Sequence, residues 1–128
     1  MIEKLASLLM VATPLPPPLP VDWAALPEVS YRGATGITYR DSGPVIAMQR
    51  QCRFPLIRDG WRGVRADSAL LVGADGRLLH IVPDPDLCAP LRRYLIRLYR
   101  NRLPGKLNGP ASDRPAWYRA AITFSWQH

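Results

Sequence analysis

The chain predicts an α+β fold: a small antiparallel β-sheet built from a hairpin and a long final strand, with one amphipathic helix packed on a face. Three observations carry this. Two apolar runs, "SALLV" and "RLLHIV", are split by Gly73, Asp75 and Gly76. The stretch "APLRRYLIRLYR" repeats leucine at helical spacing. The closing "AWYRAAITFSW" alternates apolar and polar residues. An antiparallel sheet with one helix across it is the economical way to bury all three stripes.

The hairpin follows from its interruption. Two glycines inside a helix cost roughly 1 kcal/mol each against alanine. A tight turn instead requires residues that tolerate positive φ, as Asp-Gly does. Before it, Val64, Ala66, Ser68, Leu70 and Val72 alternate with Arg65, Asp67, Ala69 and Leu71, a period of two. In the helix, Leu91, Leu95 and Leu98, with Tyr94 beside them, define the core face, and Arg93, Arg97 and Arg100 fall opposite. Asp84 or Asp86 suits the N-cap, Pro85 and Pro90 suit a first turn, and Pro104-Gly105 ends the helix. In the last strand Tyr118, Ala120, Ile122, Phe124 and Trp126 share one face, with Arg119, Thr123, Ser125 and Gln127 on the other.

The rest of the chain is weaker in pattern. Residues 1–22 form an apolar and proline-rich segment: Leu5–Ala12 is apolar, and Pro14, Pro16, Pro17, Pro18 and Pro20 follow. Eight apolar residues are too few to span a bilayer, which takes about 20. They fit either the core of a short signal peptide or a partly helical arm. The prolines make a stiff, extended linker. Residues 23–51 are a lead-in with two β-prone pieces, Val29–Tyr31 and Ile37–Tyr39, expected as a loose hairpin around Gly33 and Gly36. "PVIAMQRQ" reads as one more short strand or a lead-in. Residues 52–128 carry the domain proper.

The 128 residues suit one domain, and 48% hydrophobic against 21% charged content fits a globule. The formal charge is +7. Lys4 and Lys106 are the only lysines, so 15 of the 17 cations are arginine. With 14 prolines and abundant alanine, that is also what a GC-rich genome favours. Cys52 and Cys88 form no CxxC pair, and with His80 and His128 the only histidines no metal site is expected. In an oxidising compartment the two cysteines could close a loop of about 35 residues; in the cytosol they would be ordinary thiols.

No catalytic set is visible. Asp84 and Asp86 flank prolines at a helix start, His80 has no adjacent nucleophile in sequence, and Ser68 and Ser125 lack a nucleophile elbow. The glycines show neither a dinucleotide nor a phosphate loop, so neither enzyme activity nor a cofactor is expected.

From about Cys52 to Trp126 the chain resembles the C-terminal domain of TonB and related TonB-like envelope proteins. The resemblance rests on Phe54-Pro55 followed by a short basic stretch and Gly63, then on the Asp75-Gly76-Arg77 hairpin. "LCAPLRRYLIRLYRNRLPG" stands at the family's helix, and Arg114-Pro115 leads into its closing strand. In place of the family's Leu-Asp-x-Ala-Ala element stands Leu87-Cys88-Ala89-Pro90. The resemblance implies a stand-alone periplasmic or envelope protein, not a membrane-anchored energy transducer. Its partner would be a protein of the envelope, such as an outer-membrane receptor segment, added to a sheet edge in energy-coupled transport. Trp117–Trp126 is the expected edge, with Arg119, Ala121, Thr123 and Ser125 toward the partner. A Cys52–Cys88 bridge would tie the lead-in to the helix start. The oligomeric state is open, a dimer included.

A second reading is a small basic cytoplasmic nucleic-acid-binding protein. Residues 87–112 contain no acid, and Arg93, Arg97 and Arg100, with Arg92, Arg102 and Lys106, alternate with Tyr94 and Tyr99.

Overall fold

At the turn, Gly73 N–H donates to Arg77 O at 2.8 Å and Gly76 N–H to Gly73 O at 2.9 Å, with Gly76 at φ 82°. The Asp75 carboxylate accepts from Arg77 N–H at 3.1 Å. In this computed structural model the described residues are 17–31, 34–35, 37–38, 42–102, 107–108 and 114–127. Leu5–Ala12, Pro14, Pro16, Gly33, Gly36, Tyr39, Pro104-Gly105, Lys4, Lys106 and His128 therefore lie outside them.

The elements are β1 (Ser30–Tyr31), β2 (Ala34–Thr35), β3 (Ile37–Thr38), α1 (Gly43–Ala47), β4 (Leu56–Arg58), β5 (Trp61–Val72) and β6 (Leu78–Pro83). There follow α2 (Ala89–Arg97), running into a π-turn over Leu98–Arg102, then β7 (Leu107–Asn108) and β8 (Ala116–Gln127). The fold is α+β. β5 and β8 pair antiparallel along their whole length, from Trp61 opposite Gln127 to Val72 opposite Ala116. The main sheet runs β3-β8-β5-β4, and β6 joins β5 on the side that β4 occupies. β1, β2 and β7 make a second, small sheet.

Strand parity explains the core. Leu70, Val72, Tyr118, Ala120, Ile122, Phe124 and Trp126 are buried and point to one face. Against them pack Leu91, Leu95 and Leu98 of the helical segment. Leu70, Leu91, Leu95, Ile122 and Phe124 are wholly excluded from solvent, each such side chain contributing about 1.5–3 kcal/mol. Tyr94 meets Phe124 at 6.2 Å, and Phe54 stands edge-on to Trp126 at 5.5 Å.

β4 and β6 run along the same side of β5 and approach each other head-on. Gly63 N–H donates to Pro55 O at 3.2 Å, and Asp84 N–H to Asp67 O at 3.0 Å. The chain entering β4 and the chain leaving β6 thus converge between Gly63 and Asp67. There Cys52 and Cys88 form a disulfide, their Cα atoms 5.8 Å apart. In the chain-entropy account, closing this 36-residue separation stabilises the fold by about 4 kcal/mol.

Four local expectations are corrected. The hairpin of the lead-in joins β1 to β2, while Ile37–Thr38 pairs parallel with β8. "PVIAMQRQ" holds no strand; Gly43–Ala47 is a short helix, with proline in its first turn. Neither Asp84 nor Asp86 caps α2. Cys88 is its N-cap, and the Asp84 carboxylate instead accepts from Asp86 N–H at 2.9 Å, closing a turn before the helix. Gly63, which the resemblance sets before the first strand, lies inside β5, where a Cβ would sit 2.8 Å from Phe124 O and 2.9 Å from Ile57 Cδ1.

Candidate interaction surface

Arg119, Ala121, Thr123 and Ser125 lie along the side of β8 away from β5, but that edge is not open. Arg119 N–H donates to Pro27 O and Val29 N–H to Arg119 O, both at 2.9 Å. Further on, Ile122 and Thr123 pair with Ile37 and Thr38, and the Ser42 hydroxyl donates to Ser125 O at 3.2 Å. The lead-in thus covers the edge in three short pieces. Glu28 adds an ion pair to Arg119 at 3.2 Å, each side chain about a third exposed. No period of two marks these pieces in the sequence, because each contributes only a residue or two. Thr123 and Ser125 keep exposed side chains, while Arg119 and Ala121 are half-buried.

The bare edge lies across the sheet. β6 pairs with β5 and, among the described residues, with no other strand. Asp84 N–H bonds to Asp67, so by alternation Ile81 directs its N–H and C=O outward, and so does the Pro83 carbonyl. Pro83 offers no donor and closes the far end of this edge. Leu79, at 53% exposure, and His80 stand open beside it. A register shift between Leu71 and Val72 accompanies them. This edge strand was legible in the sequence; what hid its importance was the expectation that β8 lay outermost.

Arg93, Arg97 and Arg100 are all exposed, on the side of the helical segment away from Leu91 and Leu95. Their interleaved aromatics face inward. Tyr99 is fully buried, so its ring is closed to base stacking, and Tyr94 packs on Phe124. Burial, with the Asp67 charge second, raises the Tyr99 hydroxyl above its ordinary pKa near 10.

Among the described residues no three His, Cys, Asp or Glu side chains come together as a metal-ligand group. One groove of about 580 Å³ lies on the face away from α2, between Leu19, Val21 and Trp23 on one side and Arg65, Asp67 and Arg119 on the other. No helix among the described residues is long and apolar enough to cross a membrane.

Comparison with known proteins brings no relative to this surface: no family model matches the chain, nor does any curated protein or solved structure.

Proposed function

We propose that this is a non-enzymatic interaction domain of the cell envelope, TonB-like in design, which takes up an extended segment of a protein partner by strand addition. One observation supports this above the others: among the described residues β6 has no second partner strand, and the exposed Leu79 and His80 flank that edge. An open edge is a template for another strand, with side chains at alternate positions setting specificity. The docking strand is thereby β6, not β8. The Cys52–Cys88 disulfide fits an oxidising compartment such as the periplasm.

A photo-crosslinking residue at position 79 in intact cells tests it, with positions 123 and 93 in parallel. The expected result is a discrete protein adduct from 79 and none from 123; absence of an adduct at 79 removes the reading. Alkylation of intact cells should leave Cys52 and Cys88 unmodified. Two alkylated thiols would place the protein in a reducing compartment.

The exposed Arg93, Arg97 and Arg100 favour a second reading, adhesion to nucleic acid in the cytoplasm, with a role in neither transport nor strand addition. Crosslinks to RNA or DNA from position 93, together with binding that falls steeply with salt, would support it.

A further inference from the structure

On the face of the sheet opposite α2, three side chains stand in a row across three strands. Leu71 of β5 is paired with Trp117 of β8 on one side and with His80 of β6 on the other. The two rings meet edge-on at 6.2 Å and 74°. Leu71 is only 5% exposed and Ala69 fully buried, although no α-helix among the described residues covers this face. The Trp117 indole Nε1 donates to the carbonyl of Pro17 at 2.7 Å. Pro17 belongs to the stretch Pro17-Pro18-Leu19-Pro20, which is in neither helix nor strand.

We propose that Trp117 anchors a polyproline-binding site whose resident ligand is the chain's own Pro17–Pro20 segment, held in cis. The chemistry matches on both sides. Proline lacks an N–H, so a proline run can only accept hydrogen bonds through its carbonyls. An indole offers one donor on an apolar plate and nothing else, which is how aromatic grooves read such segments. A proline run is extended before it binds, so little ordering entropy opposes the contact and one good hydrogen bond holds it. Farther along, Leu26 and Val29 are buried and Pro27 and Val29 are bonded to β8. Between these two anchors, residues 19–24 arch over the groove above Arg65 and Asp67. The segment is thus a strap with a fixed end at Val29 and a latch at Trp117. The site does not depend on the strand-addition reading, because its contact is the side-chain donor of Trp117 on β8, not the backbone edge of β6.

The test uses the full chain. Trp117→Phe keeps an aromatic plate and removes the donor. Amide exchange at Ala24, Ala25 and Leu26, the hydrogen-bonded amides of the strap, should quicken by roughly threefold to tenfold, the worth of one hydrogen bond, while the β5 and β8 amides stay as slow as before. Exchange of the strap unchanged by Trp117→Phe would overturn the proposal. In a second arm, the peptide Pro-Leu-Pro-Pro-Pro-Leu-Pro is added to wild type and to a Pro17→Gly/Pro18→Gly variant. The Trp117 indole proton should shift at lower peptide concentration in the variant, whose own strap competes less well. No shift at Trp117 in the variant would refute a polyproline site. Light scattering decides whose segment is bound: a monomer with a protected strap supports the cis assignment, and a dimer that exchanges straps overturns it.

Discussion

On the helix side of the main sheet, Leu91, Leu95 and Leu98 meet Leu70, Ile122 and Phe124 in a layer of apolar side chains without solvent exposure. On the opposite side, the cover among the described residues is a single pass of chain from Pro17 to Val29. It is attached by an indole hydrogen bond, one ion pair and two backbone bonds at Arg119, and at its far end by the buried Leu26 and Val29. The same sheet therefore has one face sealed by area and another covered by a few directional contacts. The first kind of cover carries stability and cannot be removed without unfolding. The second costs little to lift at its Trp117 end, ahead of the buried Val29, which suits a surface that is to be exchanged for a partner.

The comparison breaks if the two faces prove equally important to stability. The largest loss is expected from Phe124→Ala, about 3–5 kcal/mol by urea unfolding, since the cavity lies where no solvent enters. Next is replacement of Cys52 and Cys88 by alanine, at about 2–4 kcal/mol in the same assay under non-reducing conditions. The third concerns Tyr99, whose hydroxyl is buried with no partner among the described residues. Its folded pKa is raised above the unfolded value near 10, so the unfolded chain releases that proton first. Stability is therefore intact below about pH 10 and falls as pH rises beyond it. Tyr99→Phe should flatten that alkaline fall and leave neutral-pH stability nearly unchanged; an unaltered alkaline slope would contradict the assignment. Smallest is the strap's ion pair. A double-mutant cycle on Glu28→Gln and Arg119→Met should return a coupling of about 0.2–1 kcal/mol. A value like that of Phe124→Ala would erase the distinction between the faces.

The three long signals were legible in the sequence because each is a periodicity over several residues. Leu91, Leu95 and Leu98 repeat at helical spacing, Tyr118 to Trp126 at every second residue, and Gly76 supplies the positive φ of the turn. Burial on one face imposes those periods whatever the neighbours are. Tyr99 stands four residues after Leu95 and eight after Leu91, so helical spacing already sets it beside the core face, and its burial removes it from any stacking surface among the arginines.

By itself the sequence determined the fold class, the helix's apolar and arginine faces, the hairpin turn and which residues of the final strand enter the core. Only the tertiary structure decided which strand is outermost, that Cys52 meets Cys88, and that Trp117 meets Pro17. The physical reason is range. Side-chain periodicity is set by each strand's own pleat, whereas edge identity depends on one- and two-residue pairings between segments far apart in the chain. Glu28 beside Arg119 and Ile37 beside Ile122 leave no local pattern to read.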